Sequence, residues 1–151
     1  MLGISGIAHV SLTVTDLQRS TEWYRKVMGF DALWELERDG YKKVILTDEP
    51  TGIIFSLTEH GKGSSGEEFS ETRTGLDHLS FAVPSFRELG RWKERFEELE
   101  VPHTEILTTK TGAVIVFRDP DNIQVEMYAP ADGAEWAFAF PPVPESASSR
   151  S

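Results

Sequence analysis

The chain repeats itself. Shifted by 69 residues against its own copy, His9 falls on His78, Ser11 on Ser80, Val14 on Val83 and Trp23 on Trp92. Toward the end of each half the offset becomes 70, pairing Pro50 with Pro120, Ile53 with Ile123 and Leu57 with Met127. A one-residue change of offset is what a loop insertion does to a duplicated module, so both halves must share one fold.

In the first half, residues 7–14 read as a strand, and Asp16 caps a helix from Leu17 to about Met28 that Gly29 ends. Leu17, Thr21, Tyr24 and Met28 form its inward stripe. Three short segments rich in β-formers follow at 32–38, 42–48 and 52–59, separated by Asp39-Gly40 and Glu49-Pro50 turns. The second half repeats the order. A strand at 76–83 leads to Ser85-x-x-Glu88, a capping box whose helix aligns Phe86, Leu89, Phe96 and Leu99. Strands at 104–108, 113–118 and 123–128 follow, with turns at Thr111-Gly112 and at Asp119-Pro120-Asp121-Asn122.

This order predicts an α+β chain of two tandem βαβββ modules, residues 1–60 and 75–130. The linker over 61–74 contains GKGSSG, which reads as a flexible connector because the phosphate-loop pattern is missing. A tail rich in Pro, Ala and Ser occupies 131–151, and its last ten residues are expected to be mobile. Its apolar segment at 136–140, WAFAF, suits an extra strand or an anchor on a partner subunit.

Charge and composition exclude several roles. Twenty-five acidic residues against fifteen Lys and Arg give a net charge of -10 with no basic cluster, which disfavours nucleic acid. No segment approaches the roughly 20 apolar residues that cross a bilayer, and MLGISGIAHV has no signal-peptide pattern. With no cysteine, disulfides, thiolate ligands and a cysteine nucleophile are excluded, and any metal work falls to His, Asp and Glu. A soluble, cytoplasmic protein acting on a small molecule, without nucleic-acid or membrane partners, is the expectation.

Residues two apart on a strand share a face, so His9 sits with Ser11 and Thr13, His78 with Ser80 and Ala82, and Glu126 with Gln124 and Tyr128. Two imidazoles and one carboxylate form a ligand set that holds a divalent metal ion and leaves positions open. The duplication then predicts a fourth ligand opposite Glu126, but that position is Ser56, a poor one. His60 shares the strand face of Ser56 but lies four residues, roughly 13 Å, farther along, and would reach the site only through a bulge or loop reversal.

The duplicated module, the GIAHVSLTV and GLDHLSFAV strands, the DLQRSTEWYRKVMGF helix and the closing FRDPDNIQVEMYAP resemble the vicinal oxygen chelate superfamily. That group includes glyoxalase I, methylmalonyl-CoA epimerase, extradiol dioxygenases, fosfomycin-resistance transferases and bleomycin-resistance proteins. The resemblance covers residues 4–130 and implies cupped mixed sheets enclosing a metal that substrates chelate through adjacent oxygens. It places the family's metal ligands on His9, His78 and Glu126. Ser56 replaces the fourth ligand of glyoxalase I and the epimerase, so the set looks more like that of the dioxygenases and fosfomycin transferases. The latter would call for cationic residues around a phosphonate, which this acidic chain does not obviously supply.

Around the metal, Tyr128 is a candidate proton donor beside Glu126. Trp34 and Phe117 are candidates to line the cavity, and Ser11, Ser80 and Gln124 to contact substrate or hold histidine tautomers, with Ser56 and His60 as further substrate contacts. Trp23 and Trp92 are expected on the backs of the sheets, and His103 on the surface. The leading expectation is a metalloenzyme using Fe(II), Mn(II), Zn(II), Ni(II) or Co(II) in dioxygenase or lyase/isomerase chemistry, probed by metal analysis. The alternatives are a drug-sequestering protein of the bleomycin-resistance type, which the acidic charge suits, and an interaction platform without chemistry. The duplication also suggests a homodimer.

Overall fold

The computed structural model describes residues 6–61 and 64–131. The WAFAF segment and the tail from residue 132 onward lie outside the described residues. The elements are β1 (Val10–Thr13), α1 (Leu17–Trp23) continued by a π-helical turn (Tyr24–Met28), β2 (Asp31–Arg38), β3 (Tyr41–Asp48) and β4 (Ile53–His60). They are followed by β5 (Leu79–Ala82), α2 (Phe86–Glu98), β6 (Leu107–Thr108), β7 (Gly112–Arg118) and β8 (Gln124–Pro130).

The strands form two four-stranded mixed sheets, ordered β1-β4-β3-β2 and β5-β8-β7-β6. In each, the last three strands run antiparallel and the first pairs parallel with the last. Even the register is repeated, since Ser11 lies opposite Ser56 in the first sheet and Ser80 opposite Glu126 in the second. The compact units divide between Glu67 and Glu68.

Both helices start as their caps dictate. The Asp16 carboxylate accepts from the Arg19 amide at 2.9 Å, and the Ser85 hydroxyl from the Glu88 amide at 3.3 Å, contacts worth about 1 kcal/mol each. Gly29 ends the first helix with φ 79, a left-handed conformation that other residues rarely adopt. In the first unit Tyr24 is buried as expected, but Ser20 and Val27 are buried in place of Thr21 and Met28, which with Leu17 lie at the margin. Tyr24 and Phe30 pack on Phe55 of β4 at ring separations of 4.9 and 5.7 Å. In the second, Leu89 and Phe96 bury against the sheet, but Phe86 at the first helical position stays 60% exposed.

Three further expectations are corrected. The strand predicted at 104–108 shrinks to Leu107–Thr108: His103 bridges Phe117 and the Thr104 amide donates to Val116 O, one residue out of register with the Leu107–Val114 pairing, so the ladder breaks between them. His103 is accordingly half-buried, its ring 5.6 Å from Phe96 and its Nδ1 2.8 Å from Val101 O, and not a free surface residue. Gly112 is a strand residue rather than a turn residue. It is glycine because a Cβ there would lie 2.1 Å from Ala129 O and 2.7 Å from the Tyr128 hydroxyl.

Much of the stretch expected as a connector over 61–74 is bonded to the second sheet. The Phe69 amide donates to Asp121 O, Asn122 Nδ2 donates to Phe69 O, and Arg118 pairs with Glu71. The Asp119 carboxylate shapes the turn it meets by accepting from the Asp121 and Ile123 amides at 2.9 and 2.8 Å. No helix of the described residues is long and apolar enough to cross a membrane.

Candidate metal centre

In each sheet one face carries the helix and the other carries the polar candidates. Register fixes which residue is where. On β8, Val125, Met127 and Ala129 are buried toward α2, so Gln124, Glu126 and Tyr128 share the opposite face. Across the ladder, Ser80 and Val116 flank Glu126, Ala82 and Val114 flank Tyr128, and Arg118 lies opposite Gln124. His78 immediately precedes β5 on the side of Glu126, and its Nε2 is 3.5 Å from Glu126 Oε1. The carboxylate is nearly covered, 15% exposed, while the imidazole is 40% exposed.

The other imidazole nitrogen is engaged as well, with His78 Nδ1 2.6 Å from Asp77 Oδ1. An ionised carboxylate only accepts, so Nδ1 carries the proton and donates. With the ring protonated, the 3.5 Å contact to Glu126 is an ion pair; with the ring neutral, Nε2 presents a lone pair beside the Glu126 carboxylate, and such a pair of donors fits a cation. Their 3.5 Å separation is close to that of ligands each about 2.1 Å from a common ion at a near-tetrahedral angle. Asp77 is the residue that sequence reasoning missed here. Its signal was the Asp-His dipeptide, where the first copy reads Ala8-His9.

Among the described residues no group of three or more His, Asp or Glu side chains is placed to hold an ion. His9 is exposed and immediately precedes β1 in the first unit, the position that His78 takes before β5.

Tyr128 donates its hydroxyl proton to Thr111 Oγ1 at 2.7 Å, and the ring lies over Gly112. The Gln124 side-chain oxygen is occupied, accepting from Arg118 Nη2 at 2.9 Å, which leaves the amide nitrogen to donate. Arg118 also grips Glu71 through two parallel bonds of 2.7 and 3.1 Å and reaches Asn122 O at 3.1 Å. These bonds hold the Glu71 carboxyl down to about 2 and raise the arginine in turn. Thr111, Arg118 and Glu71 carry no signal of their own in the sequence, because each acts through a partner that only the fold supplies.

Phe117 does not line this face. Its ring is 1% exposed and packs 4.5 Å from Phe96 on the helix side, because β7 turns Val116 and Arg118 toward Glu126 and Gln124 and so turns Phe117 away.

The first sheet, taken by itself, aligns Ser11, Ser56, Ile45 and Trp34 in one cross-strand row. Trp34 is 57% exposed, and a bulge between Ala32 and Trp34 sets its register. The Ser11 hydroxyl is 3.2 Å from that of Thr58. Ser56 is buried, and its hydroxyl has no hydrogen-bond partner among the described residues. β4 pairs with β3 residue for residue through to His60, so the bulge that would carry His60 back beside Ser56 is not present. His60 instead lies beside Tyr41, with ring centroids 6.2 Å apart.

The family model described as Glyoxalase/Bleomycin resistance protein/Dioxygenase superfamily matches residues 6–127. Among relatives, the putative ring-cleaving dioxygenase MhqA of Bacillus subtilis is 27% identical over a 140-residue alignment that covers 86% of this chain and 42% of that protein. Catechol-2,3-dioxygenase of the same organism is 28% identical over 132 residues, 86% of this chain and 43% of that one. The chain thus spans less than half the length of these two relatives. Metallothiol transferase FosB of Staphylococcus haemolyticus is 27% identical over 83% of this chain and 84% of its own.

Among solved structures, a glyoxylase/bleomycin resistance protein/dioxygenase domain from Frankia sp. EAN1pec superposes with a TM-score of 0.79 at 36% identity, covering 87% of this chain and 96% of that one. The fosfomycin resistance protein FosX of Listeria monocytogenes, complexed with Mn(II) and sulfate, gives 0.65 at 21% identity over 87% of this chain and 98% of its own, a likeness of fold.

Proposed function

Because this chain belongs to the Glyoxalase/Bleomycin resistance protein/Dioxygenase superfamily, we propose that it is a metalloenzyme whose His78 and Glu126, with His9 as third ligand, hold a divalent cation. The observation that carries this reading is the convergence of His78 Nε2 and Glu126 Oε1 at 3.5 Å, with the far side of the imidazole tied to Asp77. Fe(II), Mn(II), Zn(II), Ni(II) and Co(II) all accept such a nitrogen and oxygen donor set. When bound, such an ion polarises substrate oxygens or, as iron, supplies dioxygen reactivity.

The remaining work falls to the chain's own residues. Val114 and Val116 give the face around Glu126 an apolar floor on which a flat substrate can lie. Ser80, exposed beside Glu126, and the free amide nitrogen of Gln124 are placed to orient substrate oxygens. Tyr128 holds its proton on a hydroxyl already aimed at an acceptor, Thr111, and exchanging that acceptor for a substrate oxygen makes it a proton donor. The names of the ring-cleaving and catechol dioxygenase relatives favour a substrate with adjacent hydroxyls on a ring. The absence of cysteine suits the cytoplasm, and duplicated modules suit a homodimer.

The test is oxygen uptake with catechol-type substrates after anaerobic reconstitution with each of the five ions in turn. Uptake with iron that is lost in Glu126→Gln supports the dioxygenase version. Turnover without oxygen in the presence of another ion redirects it to lyase or isomerase chemistry. Binding of a cationic drug that survives both His9→Ala and His78→Ala, with no stoichiometric metal, contradicts it in favour of sequestration.

A further inference from the structure

Asp77 belongs to no ligand set, and its side chain is 69% exposed, yet it makes one of the shortest contacts of the second unit, 2.6 Å from His78 Nδ1. We infer that Asp77 is a positioning residue that keeps the His78 proton on Nδ1, so that the Nε2 lone pair faces Glu126 before any ion arrives. This deepens the proposed function and rests on it only for its consequence in metal binding.

An isolated neutral imidazole favours the opposite tautomer, with the proton on Nε2. That proton would point at Glu126 and satisfy the carboxylate with a hydrogen bond in place of a cation. A carboxylate on Nδ1 reverses the preference, because it has no hydrogen to give and must receive one. It also fixes the ring plane and makes the distal nitrogen a stronger donor.

The duplication provides an internal contrast. The residue before His9 is Ala8, which can do none of this, so the two histidines differ in preparation although they occupy matched positions. His78 is preset by its neighbour, and residue 8 offers His9 no such partner.

The chain has four histidines, so their ring nitrogens can be assigned in long-range proton–nitrogen spectra by single substitution. In the metal-free wild type at mildly alkaline pH, His78 is expected as the Nδ1–H tautomer. In Asp77→Ala it is expected to revert to Nε2–H, with an unchanged melting curve because the residue is exposed. Asp77→Ser, too short to reach the ring, gives the same reading should the alanine variant fold poorly. Calorimetry with Mn(II) should show affinity falling about 10–100-fold in either variant, and lost in His78→Ala.

An unchanged tautomer in Asp77→Ala, or Mn(II) affinity within about twofold of wild type where His78→Ala abolishes binding, overturns the role of Asp77 and leaves the metal reading standing. If the wild type binds no Mn(II) or other divalent ion while the tautomer still switches, the metal reading fails and the positioning holds.

Discussion

Replacing Gly112 by alanine places a methyl carbon 2.1 Å from Ala129 O, 2.7 Å from the Tyr128 hydroxyl and 2.9 Å from Tyr128 Cε1. The two tyrosine contacts can be relieved by swinging the ring aside, which gives up its 2.7 Å bond to Thr111. The carbonyl contact cannot, since Ala129 belongs to the β8 backbone and is already in register with Ala113. The ladder must therefore open locally. Overpacking of this kind costs about 1–3 kcal/mol, and the displaced hydrogen bond adds about 0.5–1.5, for a total of about 1.5–4.5 kcal/mol. Urea unfolding followed by circular dichroism should show this as a lower midpoint with an unchanged slope. A cycle with Tyr128→Phe isolates the tyrosine part. Without the hydroxyl, Gly112→Ala should cost less by at least about 0.5 kcal/mol. A Gly112→Ala protein within about 0.5 kcal/mol of wild type, or an equal cost in both backgrounds, would refute this packing.

Phe117→Ala should cost about 3–5 kcal/mol in the same assay and leave metal content per folded chain unchanged, whereas a cavity-lining role would give the reverse. Ser56→Ala removes a buried hydroxyl without a partner among the described residues, so stability should hold or rise; a loss above about 1 kcal/mol would reveal a missed partner. The Glu71 carboxyl titrates at about 2 in the folded chain against 4.5 ordinarily, so the folded state binds its proton less readily than the unfolded state. Its contribution is complete above pH 4.5 and is lost as pH falls through about 2. Unfolding across that window should be less acid-sensitive in Glu71→Gln, and identical slopes in the two proteins would contradict the pairing with Arg118.

Much of the fold could be read from the repeat, because two copies of one pattern had to agree. The helix caps at Asp16 and Ser85, the β-α-β-β-β order and the matching of Ser56 with Glu126 all follow from spacing that the register reproduces. Strand periodicity also sorted Gln124, Glu126 and Tyr128 onto one face. It failed for Phe117, because GAVIVF is apolar at every position and has no polar contrast to mark its faces. Only pairing with β8 resolves that. Phe86 shares the helical stripe of Leu89 and Phe96 but, at the helix's first position, stays exposed while they are buried. The Arg118–Glu71 pair joins residues 47 apart in sequence, a separation that no local pattern encodes. Asp77 was hidden for a different reason: neighbours on a strand point to opposite faces, and only because residues 77 and 78 precede β5 can their side chains meet.

The divalent-metal content of anaerobically purified protein tests directly whether His78 and Glu126 are metal ligands. Wild type, His78→Ala and Glu126→Gln should be compared after identical purification and confirmation of folding. The expected result is a stoichiometric ion in the wild type that is absent from both variants. No ion in the wild type and a melting temperature indifferent to added Fe(II), Mn(II), Zn(II), Ni(II) and Co(II), or equal metal in all three proteins, would contradict it.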